Sequence, residues 1–195
     1  MLLTSKVRGN PLPTAAYTPR AVERYEPKSA PEIQNVLVYL RDVVYRGPLP
    51  PTPREIVQEH EAFVPRVAAV TRGSAVSFPN ADPIFHNVFS LSGAGPFDLG
   101  RYPSPQTRTR IFTKPGLVKV FCHIHSQMSA SIKVFDHPFF AAPDATGSFV
   151  LRDVPPGRYT IVGWHERIGE RSRPIDVTAG QSVDVTLSLP VEELP

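Results

Sequence analysis

The reading of this chain turns on FTKPGLVKVFCHIHSQMSASIKV, residues 112–134. Over residues 117–122 the side chains alternate, with Val118, Val120 and Cys122 on one face and Lys119 and Phe121 on the other. That is the pattern of a half-buried strand. Residues 130–135 read as a second strand, so the segment between them is a short connecting loop. Within it, Cys122 is followed by His125 three positions on and by Met128 six positions on. Cys122 is the chain's one cysteine, and Met128 its one methionine besides Met1. Thiolate, imidazole and thioether make a soft donor set. Two His and a Cys in a trigonal plane, with a weak axial Met, describe a copper centre that passes single electrons. The remaining imidazole should come from another strand, and His86 in DPIFHNVFS (82–90) is placed for it, on the same face as Ile84 and Val88. Zinc is the competing metal, but structural zinc prefers Cys and His and rarely takes Met. His123 points to the opposite side of the strand from Cys122 and reads as a non-ligand. His60, His137 and His165 stand alone in the sequence and read as ordinary structural or surface histidines.

Outward from this stretch, β-strand signals dominate. Segments 66–71, 74–78, 84–90 and 108–112 alternate or run β-branched between turns rich in Gly, Pro, Asn and Asp, which suggests a β-sandwich. The chain has 195 residues, of which 23 are Pro and 12 Gly, which disfavours a coiled coil, a helical bundle or a helical solenoid. No apolar run approaches the ~20 residues of a membrane span. The balance of 21 basic against 18 acidic residues is mild. The arginines, including Arg101, Arg108 and Arg110, are scattered and give no nucleic-acid footprint. No G-x-G-x-x-G or phosphate-loop pattern occurs, and Asp98, Glu166 and Glu170 show no paired-carboxylate logic beside a nucleophile.

Further out, residues 1–31 carry five Pro and two Tyr without periodicity and read as an extended arm. IQNVLVYL (33–40) reads as a strand. Residues 52–58 fit either a capped helix start or a short strand, and the strand is favoured. Beyond residue 138, Phe149 and Leu151 alternate and Tyr159–Trp164 forms a strand. Val183, Val185, Leu187 and Leu189 then alternate strictly with polar residues, the cleanest strand pattern in the chain. The opening MLLTSKVRGN shows no apolar core of a signal peptide.

FVPRVAAVTRGSAVSFPNADPIFHNVFSLSG (63–93), followed by residues 112–134, resembles the cupredoxins over residues 62–135. The similarity is to plastocyanin-like proteins often labelled methylamine-utilisation proteins, with a ligand loop most like that of amicyanin. The resemblance implies an all-β protein containing a Greek-key sandwich. It implies one type 1 copper held by His86, Cys122, His125 and Met128, with Asn87 tying the His86 strand to the cysteine loop. Phe85, Phe121 and Ile124 are expected to limit water there. It also implies a non-enzymatic electron carrier, because a copper nitrite reductase would need a further copper for which the chain shows no ligand set. The partner would be a redox protein such as a c-type cytochrome or a larger electron-transfer complex, and the location periplasmic or extracytoplasmic. A copper-holding assembly or delivery module is the alternative. GSFVLRDVPPGRYTIVGW (147–164) resembles the carboxypeptidase-regulatory-like, transthyretin-type sandwich. The expected organisation is an arm at 1–31, a copper domain at 54–137 and a second sandwich at 138–195 completed by strand 32–45.

Overall fold

The computed structural model describes residues 32–189, so the expected arm at 1–31 lies outside the described residues. The described chain is all-β apart from a 3-10 turn at Glu32–Asn35. Its fourteen strands are β1 (Val36–Arg41), β2 (Arg54–Glu55), β3 (Val57–Glu59), β4 (Ala62–Val64), β5 (Val67–Thr71), β6 (Ala75–Pro79), β7 (His86–Ser90), β8 (Phe97–Tyr102), β9 (Thr107–Ile111), β10 (Gly116–Phe121), β11 (Ser129–Phe135), β12 (Phe140–Ala141), β13 (Gly157–His165) and β14 (Gly169–Val177).

A five-stranded sheet in the order β5-β11-β10-β7-β8 faces a three-stranded sheet, β2-β6-β9. Between them lies a core of Ile56, Phe63, Val70, Val76, Phe78, Val88, Tyr102, Phe112, Val118, Val120, Met128, Ile132 and their neighbours. The β7–β8 ladder is interrupted between Asn87 and Phe89, where their partners on β8 are Arg101 and Asp98. Gly100, with φ of 71°, sits in the resulting bulge, where a left-handed backbone suits glycine.

A second, four-stranded sheet runs β12-β1-β13-β14, so β1 pairs with β12 and β13 far along the chain. Leu37 and Tyr39 of β1, with Val162 and Trp164 of β13, pack onto Val67, Ala69 and Phe135 of the five-stranded sheet. The alternate residues Val36, Val38, Leu40 and Ile161 enter another cluster with Phe139, flanked by Val185, Leu187 and Leu189. Both faces of β1 are therefore covered, which explains why its sequence is an unbroken apolar run. Polar links cross between the stacked sheets. Lys119 pairs with Glu166, and Lys133 Nζ donates to Tyr39 Oη at 2.8 Å while lying 5.3 Å from the centre of the Trp164 ring. Burial pulls Lys133 below its ordinary range, outweighing the attraction of Glu170.

Two expected strands need correction. Among the described residues, 182–189 and 149–151 find no ladder partner. Their alternation records a buried face, since Phe149, Leu151, Val185, Leu187 and Leu189 all pack against the second sheet's outer cluster, but burial at every second residue does not require strand partners. Conversely β8 and β14 were not expected. β8 carries Gly100 in its bulge, and β14 is a charged edge strand where Pro174 is tolerated. Residues 52–58 contain β2 and the start of β3, in line with the favoured strand reading.

Gly116 opens β10, the strand that delivers Cys122. Its φ is 133°, and a Cβ there would lie 2.9 Å from Ala94 Cβ. Gly116→Ala is expected to destabilise the fold by about 1–3 kcal/mol, read as a lowered Tm, because strain and contact coincide.

Candidate metal centre

β10 and β11 are paired from Gly116↔Val134 to Phe121↔Ser129, so the loop 122–128 leaves and re-enters adjacent strands. Two backbone bonds tighten it: Cys122 N donates to Met128 O at 3.3 Å, and Met128 N to His125 O at 3.1 Å. β7 lies on the other side of β10, with Phe89 opposite Phe121, and brings His86 to the same end of the sandwich. His86 and Met128 are fully buried, Cys122 is buried and His125 is half-buried.

The side chains of His86, Cys122 and His125 converge. The two Nδ1 atoms are 3.0 Å apart, and Cys122 Sγ is 3.9 Å from each. A point at the centre of that triangle is about 2.1 Å from all three atoms, a metal–ligand bond length for nitrogen and sulfur donors. Two imidazole nitrogens and a cysteine sulfur around one point are the donor set that suits a mononuclear type 1 copper, and the residues present would fit that ion. Met128 closes the loop with its side chain in the core cluster that also contains Cys122.

The surroundings of the sulfur and of His86 are polar and ordered. Asn87 N donates to Cys122 Sγ at 3.5 Å. The Asn87 side chain turns the other way, and its Nδ2 donates to Asp98 Oδ1 at 2.7 Å. The link from Asn87 to the cysteine loop therefore runs through its main chain, while its amide group ties β7 to β8. Asp98 is held below the usual carboxylate range by the bonds from Gly100 N and Asn87. His86 Nε2 lies 2.7 Å from Asp82 Oδ2. Burial alone would raise the Asp82 carboxyl, but bonds from Glu61 N, His86 and His60 N hold it below its ordinary value.

The expectation for the aromatic and aliphatic neighbours needs correction. Phe85, Ile124 and Phe121 are 56%, 40% and 37% exposed, so they rim the loop at the surface instead of sealing it. Of the donors, His86 and Cys122 are themselves buried. His123 stands outside the converging trio, its ring 3.7 Å from that of Phe89. His165 is buried with Nε2 3.1 Å from Glu32, and His137 accepts from Phe139 N, its pKa lowered chiefly by burial. Asp82 was missed in the sequence. The available signal was its place four residues before His86, behind an Asn that caps the turn.

No protein-family model matches the chain, and no curated protein sequence does. Among solved structures, a copper-containing nitrite reductase (NirK) from Thermus scotoductus SA-01 is similar at 25% identity over 49% of this chain, with a TM-score of 0.42. The chain spans a quarter of that enzyme's length, 25% of it. The reduced W45Y mutant of amicyanin is similar at 19% identity over 42% of this chain and 80% of its own, TM-score 0.40. A purple cupredoxin from Nitrosopumilus maritimus is similar at 18% identity over 42% of this chain and 99% of its own, TM-score 0.38. The assignment of the centre rests on this chain's own donor atoms.

Proposed function

We propose that this chain is a non-enzymatic one-electron carrier with one type 1 copper, which His86, Cys122 and His125 would hold with Met128 as a weaker thioether donor. The observation that carries the reading is the triangle of two Nδ1 atoms and one Sγ. The copper would supply a one-electron couple. The protein's part is to keep one donor geometry for both oxidation states. His86 is fixed at the start of β7 and Cys122 at the end of β10, so neither can shift far without disturbing the core. The Asn87 N–H withdraws charge from the sulfur and contributes to setting the potential. The half-buried His125, next to exposed Ile124 in the loop, supports electron exchange there with a redox protein, a c-type cytochrome or a larger assembly.

In this reading residues 54–137 are the copper unit. Residues 138–195, completed by 32–45, would form a carboxypeptidase-regulatory-like unit, a reading supported over the described residues by the pairing of β1 with β12 and β13, residues 190–195 lying outside them. Placement outside the cytoplasm suits a single thiol that copper would occupy. Among the described residues no helix is long and apolar enough to cross a membrane.

Absorption and EPR spectra of the copper-loaded chain test the reading, followed by a redox titration. A carrier cycles reversibly with copper retained. Release of Cu(I) on reduction would instead favour a copper-delivery module. Met128→Leu is expected to keep the colour and raise the potential, because losing an axial donor weakens Cu(II) more than Cu(I). Each tenfold difference between the two affinities moves a one-electron couple by about 59 mV, which voltammetry reads directly.

A further inference from the structure

Asp82 lies between β6 and β7, and its side chain is 10% exposed. Its carboxylate is fixed from several directions. Oδ1 accepts from His60 N at 2.6 Å, and Oδ2 accepts from Glu61 N at 2.9 Å. His60 and Glu61 form the turn between β3 and β4 with φ of 53° and 54°, a left-handed pair that aims both amides at the carboxylate. Asp82 N donates to Asn80 Oδ1 at 3.0 Å, and Asn80 Nδ2 donates in turn to Ile84 O and Tyr102 O. What remains for Oδ2 is His86 Nε2, at 2.7 Å and fully buried.

A carboxylate offers only acceptors, so the nitrogen facing it must carry the proton. In a neutral imidazole the other nitrogen is then bare. That other nitrogen is Nδ1, the atom pointing at His125 and Cys122. We propose that Asp82 is the positioning residue of this centre: it holds His86 as the Nε2–H tautomer and so presents the Nδ1 lone pair to the metal. The inference rests on the copper reading for the identity of the metal, while the tautomer is a property of the metal-free chain. With His86 Nδ1 bare, the 3.0 Å contact between the two rings is a bond donated by His125 Nδ1. His86 is thus set for ligation before any metal arrives, through a carboxylate on the loop that leads into its own strand, itself held by the turn between β3 and β4.

The test is made on the full-length, 15N-labelled, metal-free chain by imidazole 15N–1H correlation spectroscopy, followed by titration with Cu(II). The wild type should show the His86 proton on Nε2. Asp82→Ala should mix the tautomers of His86 and weaken Cu(II) binding by about 10–100-fold, the usual consequence of losing such a partner. Asp82→Asn, which with its amide oxygen at the Oδ2 place keeps the acceptor for His86 and Glu61 N and loses only the one for His60 N, should keep the Nε2–H form and lose less affinity. A wild-type spectrum with the His86 proton on Nδ1 overturns the inference without recourse to any variant. So does a folded Asp82→Ala that keeps the tautomer, or an equal loss of affinity in the two variants. A wild type that shows the Nε2–H form but binds no copper would instead overturn the copper reading and leave the positioning role standing.

Discussion

Cys122→Ser is expected to abolish the intense visible absorption of the Cu(II)-loaded chain. The colour of a type 1 site is charge transfer from thiolate sulfur, and Cys122 is the one cysteine available to provide it. A serine hydroxyl is neither soft nor ionised at neutral pH. The replacement leaves the two imidazoles in place, so a residual, nearly colourless Cu(II) complex with an ordinary EPR spectrum is the expected product. The fold should survive. The new hydroxyl keeps Asn87 N as a neighbour, and the cost of burying a polar group there is about 1–3 kcal/mol. Thermal unfolding of the metal-free variant checks that point, and absorption after Cu(II) addition checks the other. A folded Cys122→Ser that remains intensely coloured would remove the thiolate from the centre and end the copper assignment.

The centre was legible in the sequence to the extent that it is local. Cys122, His125 and Met128 share one loop between two paired strands, so their spacing alone places them together. His86 is 36 positions before Cys122, and it took the strand alternation, the need for a second imidazole and the resemblance to the cupredoxins to point to it. Asp82 was harder to see, because its role depends on amides of His60 and Glu61, which no residue type advertises. The fold was legible where hydrophobic periodicity coincides with hydrogen-bonded pairing, as in β10 and β11. It was misread where the two come apart. β14 has the ladder without the apolar face, with Gly169↔His165 through Val177↔Gly157 in register but most residues exposed. Residues 182–189 have the apolar face without the ladder. The rim residues Phe85 and Ile124 were misread for a related reason. Proximity in sequence to a ligand says nothing about which side of the backbone the side chain takes.

A chain that begins at residue 46, lacking β1, is expected to lose the second sheet while keeping the colour of the copper centre. β1 is the one strand that joins β12 to β13, with six residues in register against β13. It also serves two clusters at once, Leu37 and Tyr39 on one side and Val36, Val38 and Leu40 on the other, all at most 5% exposed. Burial of an aliphatic or aromatic side chain of this size stabilises by about 1.5–3 kcal/mol. Five of them, counted before any relaxation, amount to on the order of 10 kcal/mol, which is comparable to the total stability of a typical domain. β13 and β14 alone form a two-stranded hairpin, and such a pair is marginal in water. The copper unit has an independent core, since every buried residue of its inner cluster lies between Ile56 and Val134. Its outer face would fare differently. Val67, Ala69 and Phe135 would be uncovered together as an apolar patch, and self-association should follow. Amide exchange should therefore show protection lost across Tyr159–Trp164 and retained across β10 and β11, with the visible band of the Cu(II)-loaded protein unchanged. Protection persisting at Tyr159–Trp164 would mean that the second sheet closes without β1. Loss of the visible band would mean that the copper centre depends on the layer stacked behind it, and the two units would then have to be treated as one.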